Sequence, residues 1–170
     1  MDLIEFGRLN DAQRAELDGG EADPFGAGGL ALRWQPKELH VALRQREGPL
    51  VASAGLVLAE VQVGEAPLMR VVGLGGVIVS APYRGQGLGN RVIGEAIRRA
   101  ATLGPAVMML FCHRDRAGLY ERHGFVEIEP PVMVEQPDRF VEMPGVSMWR
   151  PLREGATLPS GPLTLHGLPF

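Results

Sequence analysis

Three glycines spaced two apart lie between an apolar run and an amphipathic stretch. They are Gly85, Gly87 and Gly89, and Arg84 stands directly before them. The first turn of a helix exposes free N–H groups and the positive end of the helix dipole, and glycines let a phosphate rest on that backbone. Because Arg84 adds a fixed positive charge, the segment predicts a cradle for a pyrophosphate. An ordinary strand-to-helix turn is the alternative interpretation.

Two common phosphate-binding patterns do not fit this segment. The P-loop pattern requires a Lys followed by Ser or Thr after its glycines, and neither is present here. The dinucleotide-binding pattern requires the spacing G-x-G-x-x-G, which the regular two-residue spacing does not match. Neither pattern therefore identifies the ligand of this loop.

A cysteine and a histidine at the end of an apolar run are a second candidate for chemistry. Cys112 would need a nearby base to act as a nucleophile, and His113 is adjacent to it. Adjacent side chains on a strand point to opposite faces, so a buried thiol and a surface histidine are the favoured interpretation. The sequence lacks His-x-x-x-His or a similar ligand spacing, so we expect no metal site.

The elements that must position these residues alternate between strands and helices. Apolar alternation and apolar runs predict strands at residues 3–6, 39–43, 50–63, 68–79, 106–112, 125–134 and 146–152. Helical spacing predicts helices near residues 10–17, 88–103 and 115–123. Glycines at 73, 75 and 76 predict a bulge within strand 68–79 or a close approach by another backbone or a ligand, with simple packing against a helix as the alternative. Pro130-Pro131 predicts a kink in strand 125–134. The order predicts an α/β fold, a mixed sheet with flanking helices.

Length and composition set the class of protein. The 170 residues are 45% hydrophobic and 22% charged, which predicts one globular domain over 1–170 with a Pro- and Gly-broken tail over 155–170. A net charge of -3 argues against a nucleic-acid partner. We expect no membrane segment, because apolar runs stay below the roughly 18 residues needed. One cysteine and an acidic start without a signal-peptide pattern favour the cytoplasm.

Two motifs in this chain resemble those of the GCN5-related N-acetyltransferase (GNAT) superfamily. Arg84-x-x-Gly87-x-Gly89 resembles its acetyl-CoA signature, and the segment from Ala117 through Tyr120 to Gly124-Phe125 resembles its second signature in loose form. The similarity is strongest over residues 68–126. The long hairpin, the 84–86 loop and an aromatic residue at 170 are most similar to the aminoglycoside 2'-N-acetyltransferase branch.

The resemblance implies a fold, a co-substrate and site residues. The fold is a mixed, mostly antiparallel central sheet that is splayed at a bulge and flanked by helices. Acetyl-CoA is the implied co-substrate, with its pantetheine arm along the backbone of the strand and Tyr120 as the general acid that protonates the departing thiolate. A core tyrosine bonded to a carbonyl is the alternative for Tyr120. The implied cofactor-binding residues are Val77, Ile78, Val79, Arg84, Gly85, Gln86, Gly87, Leu88, Gly89 and Asn90.

The general base is where this sequence departs from the family. Many relatives carry a Glu on the central strand, whereas residues 72–76 contain no carboxylate. Glu60, Glu65 and Glu127 are candidates, although a solvated surface acid is the favoured interpretation of each. A chain of water molecules is the other alternative. The family often has Asn where this chain has His113.

The implied acceptor is a small-molecule amine. Aminoglycosides are one candidate, since polycations need acidic pockets, which five acidic residues could form: Asp18, Glu21, Asp23, Glu127 and Glu129. A peptide or protein amine is an alternative acceptor.

Two alternatives lie outside catalysis. One is a silent acyl-CoA-binding module, and the other is a structural protein that dimerises through the splayed sheet. A homodimer is also compatible with activity. The interface would come from the last strands and the apolar tail residues Leu163, Leu165, Leu168 and Phe170.

Overall fold

One ten-stranded mixed sheet organises the chain in the computed structural model, which describes residues 1–129 and 131–170. Three helices accompany it in this part of the chain: α1 (Asp11–Asp18), α2 (Leu88–Ala100) and α3 (Ala117–Glu121). The strands are β1 (Asp2–Phe6), β2 (Leu39–Arg44), β3 (Leu50–Val63), β4 (Met69–Val79), β5 (Val107–Cys112), β6 (Val126–Glu127), β7 (Val132–Glu135), β8 (Phe140–Glu142), β9 (Val146–Pro151) and β10 (Leu163–His166).

The long strand β3 is the centre of the sheet. One edge of β3 pairs with β4 along most of its length, and the other edge pairs first with β2 and then with β10. The order across the sheet is β6-β9-β5-β4-β3-β10-β7-β8, with β1 and β2 beside the first half of β3. Only the β4–β5 and β7–β10 pairs are parallel in the described sheet, so the predicted mixed and mostly antiparallel arrangement is confirmed.

The first two helices cover opposite faces of the sheet. Ala42 packs with Leu17 of α1, whereas the next residue, Leu43, belongs to the core that contains Val92 and Ile93 of α2. Consecutive strand residues point to opposite faces, so each helix covers one of them. Helix α1 begins where predicted, because Asn10 and Gln13 form a reciprocal capping box.

The two central parallel strands separate partway along their length. Strand β4 pairs with β5 only from Val72 to Leu74, and then continues to Val79 beside β3 alone. Between two successive β3–β4 pairs, β3 advances from Ser53 to Gly55 while β4 spans residues 75–78, so β4 carries one extra residue. Gly76 lies at that bulge with φ +58°. The predicted bulge and splay are confirmed.

The C-terminal part of the chain differs from the prediction. The single strand expected over 125–134 is two short strands, β6 and β7, in different parts of the sheet, and β8 was not predicted. The expected kink at Pro130-Pro131 lies partly outside the described residues, since Pro130 is not among them. The apolar residues on either side of the proline pair do not indicate that β6 pairs with β9 while β7 pairs with β8 and β10.

The tail is part of the sheet. Strand β10 inserts between β3 and β7, which buries Leu163 and Leu165, and Phe170 is 2% exposed. The chain's own core covers these three side chains, so they are not available to a dimer interface, whereas Leu168 is partly exposed. None of the helices in residues 1–129 and 131–170 is long and apolar enough to cross a membrane.

Candidate functional site

The glycine loop joins the end of β4 to the start of α2. After Val79 the chain makes a 3-10 turn over Ala81–Tyr83, and α2 begins at Leu88. Gly85 and Gly87 have φ values of +76° and +75°, a left-handed conformation that favours glycine. A Cβ atom at either position would meet nothing within 4 Å. The backbone conformation thus requires these glycines, and the space above them is open.

The N-terminus of α2 faces this open space without a side-chain cap. Gly87 is the N-cap residue and provides no side-chain acceptor, while its carbonyl accepts from the N–H of Arg91 at 3.1 Å. The N–H groups of the first helical turn, from Leu88 to Asn90, have no partner within a helix. Free N–H groups at the positive end of a 13-residue helix make a seat for an anion.

The other predicted residues of this loop have separate roles. The Leu88 side chain is buried in the core beneath α2, and Gln86 is exposed. Gly89 lies against the end of β4, since a Cβ there would come within 3.7 Å of Val79 Cγ2. The Asn90 side chain turns towards His123, whose Nε2 lies 3.2 Å from its Oδ1. The side chains of these residues thus contact the protein or solvent.

Arg84 lies at the loop, and its guanidinium already donates hydrogen bonds to other groups of the protein. Nη1 donates to Oε1 of Glu21 at 2.9 Å, and Nη2 donates to Oε2 of the same carboxylate. Nε donates to the carbonyl of Val79 at 3.0 Å. The hydrogen bond from Arg84 lowers the pKa of Glu21, so this exposed carboxylate stays charged. An anion on the loop would compete with Glu21 for Arg84.

The last residues of β4 have an edge that no strand covers in the described chain. The N–H of Ser80 donates to Val51 on the β3 side at 2.9 Å. Backbone groups of successive strand residues point in opposite directions, so those of Val79 point away from β3. Of the three predicted residues, Ile78 pairs with Ser53 on β3 and is 5% exposed, while Val77 and Val79 are partly exposed. An extended ligand could pair with this edge as an added strand.

Tyr120 lies in the core between α2, β5 and β9. It is 9% exposed and packs edge-on against Phe125, with ring centroids 6.0 Å apart. Its hydroxyl forms no hydrogen bond within residues 1–129 and 131–170, so the expected alternative of a tyrosine bonded to a carbonyl does not apply. Burial is the main cause that raises the pKa of Tyr120. The phenol therefore keeps its proton and has no described partner for it.

Cys112 ends β5 close to Tyr120. Burial raises the pKa of its thiol to about 11, so the thiol is protonated at neutral pH and is a poor nucleophile. His113 leaves the strand and lies beside the 23–28 loop, where a Cβ on Gly26 would come within 3.6 Å of its Nε2. The described residues contain no group of three potential metal ligands.

None of the three candidate bases lies at the bulge. Glu60 is exposed on β3, where it lies opposite Arg70 of β4. It is four residues from Leu56, the β3 residue that pairs with Leu74. Glu65 is exposed in the turn after β3, and Glu127 forms an ion pair with Arg114 at 2.7 Å. The structure thus does not bring these carboxylates together with the free edge of β4.

The acidic residues expected to form a pocket for polycations are already partly engaged. Glu21 pairs with Arg84, and Glu127 pairs with Arg114. Asp23 accepts the N–H groups of Ala27 and Gly28 at 3.0 and 2.8 Å, and these bonds lower its pKa. The charges of Glu21 and Glu127 are therefore paired with arginines, and backbone N–H groups hold the Asp23 carboxylate.

Sequence reasoning missed Lys37, which lies at the bulge. It is the one lysine among the 17 basic residues, and its side chain crosses the glycines at positions 55, 75 and 76. Its position before β2 gave no sign of this contact, which only the pairing of β3 with β4 creates. The isolated lysine among arginines was the one available signal.

A sequence model described as the acetyltransferase (GNAT) domain matches residues 36–127, from the segment before β2 to the end of β6. No curated protein is similar enough in sequence to be matched to this chain.

Solved structures share the fold at low sequence identity. A GNAT family N-acetyltransferase from Escherichia coli, solved in complex with CoA, is 19% identical with a TM-score of 0.59, covering 98% of this chain and 94% of its own. A phosphinothricin acetyltransferase from Sinorhizobium meliloti, in complex with acetyl-CoA, is 16% identical with a TM-score of 0.57 and 94% coverage of both chains. A GNAT family acetyltransferase from Brucella melitensis, also with acetyl-CoA, is 16% identical with a TM-score of 0.56, covering 95% of this chain and 94% of its own.

Proposed function

Since this chain belongs to the GNAT acetyltransferase domain family, we propose that it transfers the acetyl group of acetyl-CoA directly to the amine of a small molecule. The observation that carries the proposal is the free edge of β4 from Gly75 to Val79, which leads straight into the glycine loop. The pantetheine arm pairs with that edge, and the pyrophosphate rests on the loop from Arg84 to Asn90. The thioester then lies near the bulge, where β4 leaves β5.

The reaction needs no covalent enzyme intermediate. A neutral amine attacks the thioester carbonyl, the C–N bond forms, and the C–S bond breaks. A backbone N–H of the free edge beside the bulge donates to the developing oxyanion. Tyr120 donates its phenolic proton to the departing sulfur, because its hydroxyl is protonated and has no partner in the described protein.

Two narrower versions of the acceptor follow from the same proposal. Aminoglycosides would need a strongly acidic pocket, and the engagement of Glu21, Asp23 and Glu127 does not favour them over other small amines. A peptide or protein amine is a second class of acceptor, and the same cleft would have to admit it. Both classes belong in the first panel of acceptors.

A silent acyl-CoA-binding module is the competing function. Such a module keeps the glycine loop and the free edge but gains nothing from the Tyr120 hydroxyl. The variant Tyr120→Phe therefore separates the two functions: an enzyme loses rate at unchanged acetyl-CoA affinity, whereas a module shows no turnover to lose.

The test is CoA thiol release from acetyl-CoA across a panel of aminoglycosides, polyamines, amino acids and short peptides. We expect turnover with at least one class and a higher melting temperature with acetyl-CoA. A higher melting temperature without turnover across the panel favours the binding module. No effect of acetyl-CoA on melting contradicts both.

A further inference from the structure

The Lys37 side chain runs across the central sheet towards the splayed cleft. A Cβ built on Gly55 of β3 would lie 2.7 Å from Lys37 Cβ, and one built on Gly75 of β4 would lie 2.7 Å from Lys37 Cε. The Cε atom is also 3.9 Å from the corresponding position on Gly76. The stem therefore begins over β3 and ends over β4, and the ammonium lies beside the bulge.

The glycines of β3 and β4 make room for this side chain. Any larger residue at Gly55 or Gly75 would collide with the lysine stem. Phe170 packs beside it, with its ring over Gly73 and its main-chain carbonyl against Gly75. Lys37 thus lies over glycines of β3 and β4, close to the point where β4 separates from β5.

The ammonium has few partners for a group so enclosed. Nζ donates to the carbonyl of Gln35 at 3.2 Å, and no carboxylate side chain in residues 1–129 or 131–170 lies within ion-pair distance. His40 on β2 is the titratable neighbour that responds to its charge, and Gln35 presents its main-chain carbonyl. The carboxyl end of Phe170, the last residue of the sequence, lies against Gly75 beside the lysine stem. Burial lowers the pKa of Lys37 from 10.5 to about 8, so a fraction is neutral near neutral pH.

The proposed transfer needs a proton acceptor at this place. An amine enters water-exposed sites mostly as an ammonium, which has no lone pair for attack, and the three candidate carboxylates lie elsewhere. On the basis of the proposed function, we propose that Lys37 Nζ is the general base that accepts the proton of the acceptor ammonium. Lysines with a desolvated amine serve this role in other enzymes.

Neutral Nζ takes one proton from the acceptor ammonium, and the freed lone pair forms the C–N bond as the C–S bond breaks. The thiolate takes the Tyr120 proton, and the proton still in excess on the amide nitrogen returns to the Tyr120 phenolate through solvent. Lys37 then releases its proton to solvent. The sum is ammonium plus thioester giving amide, thiol and one proton.

The kinetic test compares two kinds of acceptor. We expect Lys37→Met to lower kcat at least about 100-fold with an alkylamine that wild type acetylates. Hydroxylamine, which is neutral at pH 7 and needs no base, should keep its rate within a few-fold. Arg70→Met is the matched control, because Arg70 lies on β4 but on the opposite face from Gly73 and Gly75. Equal losses with both acceptors, or no loss with either, would overturn the proposal.

A second measurement needs no acceptor. Because Lys37 is the only lysine, isotope-labelled lysine gives one side-chain NMR signal, which can be titrated with and without CoA. We expect a midpoint near 8 and a change of the signal when CoA binds. An ordinary lysine midpoint, or a signal that bound CoA does not move, would overturn the role of Lys37. If CoA does not bind at all, the proposed function itself fails.

Acetylation of Lys37 during incubation with acetyl-CoA is the remaining outcome. It would show that Nζ attacks the thioester itself, and it would overturn the role as a base while supporting the placement of the thioester. Mass spectrometry of the intact protein detects it, with Lys37→Arg as the variant that cannot be modified at this position in the same way.

Discussion

Arg84 and Glu21 form a two-pronged ion pair beside the glycine loop, with Nη1 of the guanidinium donating to Oε1 at 2.9 Å and Nη2 to Oε2. Glu21 follows α1, so the pair ties the segment after that helix to the loop. A carboxylate holds the same cation that a pyrophosphate on this loop would use. In the proposed complex, acetyl-CoA therefore competes with an internal anion for Arg84.

We predict that Glu21→Gln strengthens CoA binding by no more than a few-fold, since it frees the Arg84 guanidinium for the ligand and an exposed ion pair is weak. Isothermal titration with CoA measures the change. Glu38→Gln is the control, because it removes a carboxylate from another exposed pair, with Arg8, away from the loop. Unchanged or weaker binding in Glu21→Gln would show that the pair does not compete with the ligand.

The left-handed glycine at the start of α2 can be tested by a matched pair of substitutions. Gly87 and Gly155 have φ values of +75° and +74°, and a Cβ at either position meets nothing within 4 Å. We expect Gly87→Ala and Gly155→Ala to lower the free energy of unfolding by a similar amount, about 1–2 kcal/mol. Only Gly87→Ala should weaken CoA binding, and an equal effect of the two on binding would argue against an anion on the loop.

The Tyr120 hydroxyl should matter for rate and little for stability. It has no hydrogen-bond partner among the described residues, so Tyr120→Phe removes no contact of the folded protein. We predict a fall in kcat of at least about tenfold with unchanged CoA affinity. Tyr83→Phe is the control, since it loses a hydrogen bond to Gln45 at 3.0 Å outside the core. Full activity of Tyr120→Phe would contradict the role as general acid.

Gly73 makes room for the ring of Phe170. A Cβ at this position would lie 2.6 Å from the ring, so we expect Gly73→Ala to lower the free energy of unfolding by about 1–3 kcal/mol. Phe170→Ala removes the obstacle, so the alanine should cost less in the double variant. Urea unfolding of the four proteins measures the coupling, and strictly additive effects would mean that the two residues do not meet.

The buried lysine predicts a pH dependence of stability. Its pKa is about 8 in the folded protein and 10.5 in the reference state, so between these values the unfolded chain binds more protons. The free energy of unfolding should therefore rise with pH across this window, by at most on the order of 3 kcal/mol. Subtracting the profile of Lys37→Met removes the contribution of other groups. A flat difference between pH 8 and 10.5 would mean that Lys37 is well hydrated.

Local signals predicted the elements that depend on local physics. The capping box at Asn10, the helical period after Leu88 and the glycine bulge in β4 all lie where the sequence placed them. Each depends on residues within a few positions of one another. The same holds for the glycine loop, whose left-handed residues Gly85 and Gly87 need no distant partner.

Features that arise from long-range pairing were not predictable in this way. Residues 163–166 form strand β10 because they pair with β3 on one side and β7 on the other. The short apolar pattern of these residues does not by itself indicate that pairing. Lys37 reaches the bulge only because Gly55 and Gly75 pair across β3 and β4. The ion pair between Glu21 and Arg84 likewise joins residues 63 positions apart.

The most direct test of the proposed transfer follows the acetyl group itself. Acetyl-CoA with a ¹³C-labelled acetyl group is incubated with the protein and the amine panel, and NMR and mass spectrometry locate the label. We predict that the label appears as an amide on one class of amine, with one CoA thiol released for each amide formed. Label that stays in the thioester across the whole panel, while acetyl-CoA is bound, would contradict the proposed acetyl transfer.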